Sequence, residues 1–121
     1  MQSMDFKAIF YDKPGGTLPA KEYLDSLDAK MFAKITRNIG VVEAGGTMVR
    51  EPYSKHLQDG IFEVRAQVSN NLARVLYFFF DGRRIILTHG FTKKTQKTPP
   101  SEIELAKKYR TEYLSREESS Q

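Results

Sequence analysis

Two turn signals constrain the fold of this 121-residue chain more than any other feature. Asn70-Asn71 and Asp81-Gly82 each separate two runs of mainly apolar residues, and both pairs favour the backbone angles of tight hairpin turns. The runs cover residues 61–68, 72–80 and 84–91, and the middle one is apolar on both of its faces. The sequence therefore predicts an antiparallel meander whose central strand is covered on both sides.

The segment before the meander predicts one more strand and two helices. Residues 5–11 alternate in the manner of a strand, and residues 18–27 and 29–44 carry apolar side chains at helical spacing. Asp28 stands directly before the second helix and is a candidate N-cap. Residues 47–60 show no period, so we expect them to be irregular.

A third helix follows the meander. Pro99 and Pro100 suit its first turn, Thr98 is its candidate cap, and the tail from Ser115 is polar and expected to fray. The predicted fold class is α+β, in the order β-α-α-β-β-β-α. We expect a small antiparallel-rich sheet with two N-terminal helices on one face and a C-terminal helix covering part of the other.

Length and composition narrow the class of protein. A chain of 121 residues fits one domain, 1–121, with an ordered core of about 5–115, and 40% hydrophobic residues exclude overall disorder. Cysteine is absent, which excludes disulfides, thiolate metal sites and cysteine nucleophiles. The sequence has no long apolar run and no signal peptide pattern at its N-terminus, so we expect a cytoplasmic protein that does not contact membranes.

Positive charge is concentrated in the meander. Residues 61–98 hold seven basic and two acidic residues, whereas the rest of the chain holds 12 basic and 13 acidic ones. Such a basic segment on a near-neutral scaffold favours a polyanion or an acidic partner. A solvated face of lysine and arginine is the alternative.

Strand alternation places the basic residues on one face. If both turns contain two residues, Arg65 lies opposite Leu76 and Arg74 lies opposite His89, so these cations share a face. Phe91 joins them, and Lys93 and Lys94 leave from the same strand end. The same register predicts that Ile85 and Leu87 also lie on this face and that Ile86 lies on the face of the N-terminal helices. A slip of one residue in the first turn would separate the two arginines.

An open face with these residues suits cleavage of RNA without a metal or another cofactor. The arginines would hold phosphate oxygens, and His89 or Lys93 would transfer protons while the 2′-hydroxyl attacks the phosphorus. Lys55, His56, Phe91 and Lys97 are candidate RNA-binding residues around that face. Three alternatives stay open: Arg65 and Arg74 pair with Glu63 or helix carboxylates, His89 is an ordinary partly buried histidine, and the lysines are merely solvated. No metal-ligand spacing is present in the sequence.

Four runs of residues resemble a known family. They are LQDGIFEVR at 57–65, ARVLYF at 73–78, HGFTKKTQKTP at 89–99 and EIELA at 102–106. Together they resemble the RelE/ParE toxin superfamily, and within it the HigB-like, phage-derived branch. The resemblance extends over residues 5–115 and is most specific in residues 57–106.

The resemblance implies a fold, an activity and partners. It implies a small sheet with two N-terminal helices and a C-terminal helix, and a ribosome-dependent endoribonuclease that cuts mRNA. It also implies a co-encoded antitoxin, which in the HigB-like branch commonly has a helix-turn-helix domain. By position, Arg65 and Arg74 match strand residues that contact RNA phosphate, and Lys93 and Lys94 match a basic pair after the last strand. Some RelE members have a functional tyrosine beyond that pair, where this chain has Thr95.

Two other functions compete with mRNA cleavage. A ParE-like toxin would bind and inhibit DNA gyrase without cutting any substrate, and it would not need convergent groups for proton transfer. An inactive relic would only bind its antitoxin. The shared face of Arg65, Arg74 and His89 favours the nuclease, provided that the face is open.

Overall fold

The computed structural model of the chain describes residues 5–119 and confirms the α+β class. Residues 1–4, part of the segment that we assessed for a signal peptide, lie outside this range. The described elements are β1 (Lys7–Phe10), α1 (Pro19–Asp25), α2 (Ala29–Gly45), a 3-10 turn (Gly46–Met48), β2 (Ser54–Gln58), β3 (Ile61–Val68), β4 (Asn71–Phe80), β5 (Arg84–Lys93) and α3 (Pro100–Ser119). The five strands form one sheet in the order β1-β5-β4-β3-β2, in which only the β1–β5 pair is parallel.

The start of α2 and the packing of the three helices on the sheet follow from features of the sequence. The Asp28 side chain accepts a hydrogen bond from the Met31 backbone N–H at 2.9 Å, which confirms it as the N-cap of α2. Helices α1 and α2 pack on one face of the sheet, and α3 packs on the other. Helix α3 continues to Ser119, so the expected fraying from Ser115 is wrong. No helix within residues 5–119 is long and apolar enough to cross a membrane.

Strand β2 is an element that the sequence analysis missed. Residues 54–58 were expected to be irregular, but they pair antiparallel with the start of β3 and form an edge of the sheet. The buried residue of this strand is Ser54, whose hydroxyl lies 2.5 Å from the Tyr77 hydroxyl. An edge strand with one small polar residue facing inward shows no apolar alternation, so its sequence carries no strand signal.

Both turns differ in length or position from the prediction. The first turn consists of Ser69 and Asn70, which places Arg65 directly opposite Arg74. The second turn has three residues, since Phe80 lies opposite Arg84. An irregularity beside Thr88 then compensates for the extra residue. As a result Arg74 lies opposite Phe91 rather than His89.

The extra residue of the second turn and the bulge beside Thr88 have opposite effects on which face each side chain of β5 occupies. Their effects cancel beyond Thr88 but not between the turn and the bulge. Arg65, Arg74, His89 and Phe91 share a face, as predicted, because the bulge restores the original alternation beyond Thr88. Between the turn and the bulge the alternation is reversed. Ile85 and Leu87 therefore pack with the N-terminal helices and Ile86 packs with α3, so the predicted facing of these three residues was wrong.

One close approach fixes the position of α1 on the sheet. The Tyr23 hydroxyl donates to the Phe91 carbonyl at 3.0 Å, and its ring crosses the backbone at Gly90. A Cβ at Gly90 would lie 2.2 Å from the Tyr23 ring and 2.8 Å from the Arg74 carbonyl oxygen. Position 90 therefore requires glycine for its missing side chain rather than for its backbone angles.

Candidate functional site

Arg65 and Arg74 share one buried carboxylate. The Glu63 side chain is 1% exposed; its Oε2 lies 3.1 Å from Arg65 Nε and its Oε1 lies 3.6 Å from Arg74 Nε. Arg74 is fully buried and Arg65 is nearly so. The expectation that these arginines line an open face is therefore wrong, and the alternative of pairing with Glu63 holds. Glu63 stands two residues before Arg65 on β3, so alternation brings it to the same face.

Glu63, Arg65 and Arg74 form a group that we call the triad. Residues 94–98, which we call the strap, cover it. Arg74 Nη2 donates to the Thr95 carbonyl and, at 2.6 Å, to the Gln96 carbonyl. Arg65 Nη2 donates to the carbonyl and the side-chain oxygen of Gln96, each at 3.1 Å. The predicted helix cap, Thr98, instead donates its hydroxyl to Glu63. The strap thus replaces water around both guanidinium groups with backbone oxygens.

The electrostatic state of the triad follows from its burial. Burial is the main influence on the Arg74 guanidinium and lowers its pKa, while the neighbouring Glu63 carboxylate opposes this effect. Arginine remains protonated in proteins, so the triad holds two positive charges and one negative charge. Its excess positive charge faces the strap carbonyls, which stabilise it through their dipoles.

His89 is also buried and engaged. Its Nε2 lies 2.9 Å from Glu102 Oε1, and its Nδ1 lies 3.1 Å from the Thr88 hydroxyl. Burial is the largest influence on the His89 pKa and lowers it, and the Glu102 carboxylate raises it again in part. Because Glu102 belongs to the first turn of α3, this pair attaches the helix to β5. The geometry matches the alternative of an ordinary buried histidine.

Two exposed lysines belong to the strap, and a third directly precedes it. Lys93, Lys94 and Lys97 are exposed, and none of them forms an ion pair with another residue of the described range. Lys97 lines a cleft of about 320 Å³ together with Lys55 and His56, which we call the lysine cleft. Three of the four predicted RNA-binding residues therefore meet at one place.

Phe91, the fourth predicted RNA-binding residue, lies elsewhere. It is half-buried, its ring centre lies 5.5 Å from the Arg74 guanidinium carbon, and its carbonyl accepts the Tyr23 hydroxyl. Phe91 therefore supports Arg74 from the side of the sheet. It does not line the lysine cleft.

A second concave surface, which we call the α2 groove, was missed by the sequence analysis. It has a volume of about 490 Å³ and lies between α2, residues 51–53, β3 and the strap; its lining includes Lys34, Arg37, Asn38, Tyr53, Arg65 and Gln96. A signal for it existed, because Lys30, Lys34 and Arg37 recur at helical spacing in α2.

Metal-ligand side chains do not converge in the described part of the chain. Residues 5–119 contain no group of three or more histidine, aspartate or glutamate side chains arranged to hold a metal ion. Glu63 and Glu102, the carboxylates nearest the predicted site, are engaged with cations or with His89 instead.

Comparison with known protein families identifies the family of this chain. The model of the family described as "Phage derived protein Gp49-like (DUF891)" matches residues 22–111, a span that includes the triad, the strap, the lysine cleft and the α2 groove. No curated protein matches the sequence. The sheet, the helices and their order are consistent with a RelE-like fold. Because the family match covers most of the sequence, the chain belongs to the Gp49-like family of phage-derived proteins, which is related to RelE-type toxins.

Proposed function

We propose that the protein is the toxin of a type II toxin–antitoxin system, of the HigB-like kind, and that it inhibits translation by cutting mRNA on the ribosome. The family is related to RelE-type toxins, which are endoribonucleases. The observation that carries the proposal is the group of exposed lysines on and directly before the strap, which have no ion-pair partner within residues 5–119, together with the two arginines that the strap covers. Such an arrangement attracts the phosphates of single-stranded RNA.

The strap contacts suggest how phosphate would reach the arginines. Nη2 of Arg65 and of Arg74 is held by oxygen atoms of Thr95 and Gln96, and a phosphate offers the same kind of acceptor with a full negative charge. RNA bound by Lys93, Lys94 and Lys97 would therefore compete with the strap for both arginines. With the strap in place, the guanidinium groups are held by oxygen acceptors, and the strap blocks an anion from reaching them.

The chemical step assigns one role to each group. The 2′-oxygen attacks the phosphorus as its proton passes to a base, the bond to the 5′-oxygen breaks, and that oxygen receives a proton. Arg65 and Arg74 stabilise the charge of the crowded phosphorus. Lys93 is the candidate acid for the 5′-oxygen, because it is exposed and an ammonium group only donates. His89 is the candidate base for the 2′-hydroxyl once its imidazole has left Glu102. The scheme uses protein groups for every role and requires no metal.

A reporter mRNA in a purified bacterial translation system tests this function. We expect discrete cuts within codons at the ribosomal A site, and we expect the double change Lys93→Gln and Lys94→Gln to reduce cutting at least tenfold. Lys7→Gln with Arg83→Gln is the matched control, since it also removes two exposed positive charges, at the other end of β5. Intact mRNA with the wild-type protein, or equal loss with the control, would contradict the proposal.

A gyrase-binding toxin of the ParE type is the second candidate. Arg65, Arg74 and His89, which were expected to form an exposed catalytic cluster, are occupied by internal partners, and an inhibitor that only binds needs no such cluster. DNA breaks linked to gyrase, together with intact mRNA, would select this function. Expression of the wild-type protein without any effect on growth would indicate an inactive relic.

An antitoxin is the partner that either toxin activity requires, and a toxin-like family implies one. We propose a protein with a helix-turn-helix domain and an acidic segment that covers Lys93, Lys94 and the lysine cleft. Charge complementarity supports this location, because these lysines have no carboxylate partner within residues 5–119.

A further inference from the structure

We propose that the α2 groove binds one nucleotide unit, with its phosphate at Lys34 and Arg37 and its base or ribose at Asn38 and Tyr53. The groove is separate from the lysine cleft, although both include Gln96 of the strap. Its volume of about 490 Å³ lies within the range of ~300–1,000 Å³ that is usual for small-molecule sites.

The cations of the groove indicate an anionic ligand. Arg37 is exposed, and its side chain has no partner among the described residues. Lys34 donates to the Gln67 carbonyl at 2.6 Å and keeps two further N–H donors. Glu51 is the acidic residue of the lining; it is 62% exposed and lies 3.8 Å from Arg65 Nη1. Arg65 already pairs with Glu63, so Lys34 and Arg37 against the solvated Glu51 carboxylate leave the rim of the groove positive.

Asn38 indicates that the ligand is more than a phosphate. Its side chain is 4% exposed; Nδ2 donates to the Arg65 carbonyl at 2.7 Å, and Oδ1 has no hydrogen-bond partner within residues 5–119. A buried carbonyl oxygen without a protein partner is stabilised by any donor that reaches it, whether the donor belongs to a water or to a ligand. A phosphate oxygen is an acceptor and cannot supply a donor, whereas a base N–H or a ribose O–H can. The buried acceptor and the positive rim together describe a nucleotide.

Tyr53 supplies a surface for a base. The residue is 40% exposed, and its carbonyl accepts the Arg65 backbone N–H at 3.0 Å, which fixes its backbone beside β3. Leu72 and Ala66 provide an apolar floor below it. Stacking on an exposed aromatic ring is the usual way in which proteins hold an unpaired base.

The location of the groove relates it to the proposed nuclease. Arg65 belongs both to the lining of the α2 groove and to the triad under the strap. A nucleotide in the groove would therefore lie beside the site where RNA is cut. The identification of the occupant as part of an mRNA rests on the proposed function, whereas the identification of a nucleotide rests on the groove itself.

Titration with AMP and with a short single-stranded RNA, followed by NMR of the full chain, tests the inference. We expect the side-chain amide signals of Asn38 to shift, and Arg37→Gln to weaken binding about tenfold, as loss of a charged contact does. Arg83→Gln is the control, since it removes the same charge at the far end of the sheet. Tyr53→Leu is a second variant, expected to weaken binding of both ligands.

The outcomes separate the two proposals. Tighter binding of RNA than of AMP identifies a strand as the occupant, and binding of AMP alone identifies a free nucleotide. Unmoved Asn38 signals with both ligands, or equal binding by the Arg37 variant and the wild type, would overturn the inference even if mRNA is cut. Shifted signals without mRNA cutting would retain the groove and reject the nuclease.

Discussion

Glu63 determines the state of both arginines at the predicted site. A single carboxylate cannot neutralise two guanidinium groups, and the strap carbonyls of Thr95 and Gln96 add hydrogen bonds at Nη2. The removal of one partner from a buried charge network costs more than the network itself contributes, because the remaining charges lose their compensation. The consequence can be measured.

We expect Glu63→Gln to destabilise the protein by about 3–5 kcal/mol, since two buried cations would lose their counter-charge. The measurement is denaturant unfolding at neutral pH, with Glu104→Gln as the control. Glu104 is 68% exposed and its ion pair with Lys107 lies on the surface, so its change should have little effect. Equal stability of the two variants would show that the triad is not held by charge.

Alternation predicted which residues share the face of Arg74, but not whether that face is open. Arg65, Arg74 and His89 share a face because side chains alternate along each strand. The predicted facing of His89 is correct because the unpredicted bulge beside Thr88 offsets the extra residue in the second turn. Exposure depends on what lies above the strands, and the strap and α3 are brought there by tertiary packing. Glu63 was one of the partners that the sequence left open for the arginines, and it shares the parity of Arg65 on a single strand.

At the scale of elements, the pair of His89 and Glu102 joins α3 to the sheet. Thr88 and Tyr109 complete the surroundings of the imidazole, since the ring centres of His89 and Tyr109 lie 5.8 Å apart. Burial of the ring lowers the pKa of His89 from its ordinary value of 6.5. The attachment of α3 therefore depends on an imidazole whose pKa is lower in the folded chain than in the unfolded chain.

The unfolded chain takes up a proton on His89 before the folded chain does, so the free energy of unfolding should fall as the pH falls below 6.5. We expect a decrease of up to about 1.4 kcal/mol for each pKa unit of the shift. Unfolding measured at pH 7.5 and at pH 5.5 checks this, and His89→Gln should remove the slope. His56→Gln, at the exposed second histidine, should keep it. A slope that persists without His89 would contradict the assignment.

The elements that the sequence failed to predict have a common physical cause. The strands of the meander and the helices bury apolar stripes, so their periodicity could be recognised. Strand β2 buries one serine, and the turn lengths depend on positive backbone angles at Ser69 and Asp81, which neither residue type requires. Hydrophobic pattern predicts an element only where that element contributes to the core.

At the scale of the whole molecule, unpaired positive charge collects at the strap end of the sheet. Lys93, Lys94 and Lys97 lie there without carboxylate partners in the described range, whereas Arg84 at the opposite end pairs with Asp81 at 2.7 Å. The seven basic residues of the meander are therefore not equivalent. The two buried arginines and Arg84 have carboxylate partners, Arg83 is exposed on the turn at the opposite end, and the three lysines at the strap are available to an anion.

RNA binding should weaken with salt in proportion to the phosphates that these lysines contact. For single strands each contact contributes roughly 0.7 to the slope of log K against log salt. We expect the double change Lys93→Gln and Lys94→Gln to lower that slope by about 1.4. Filter binding of a short RNA over a salt series measures it. The control is Lys7→Gln with Arg83→Gln, at the far end of the sheet; an equal change in slope there would show that the attraction is diffuse.

The parallel pairing of β1 with β5 affects how the protein is made. Lys7 and Arg84 are neighbours in the sheet but stand about 80 positions apart along the chain. At a synthesis rate of ~5–20 residues per second, β1 waits roughly 4–15 s before its partner emerges from the ribosome. During that interval the nascent protein has no closed sheet and no strap. Arg65 and Arg74 therefore gain their carbonyl partners only after Gln96 has emerged from the ribosome.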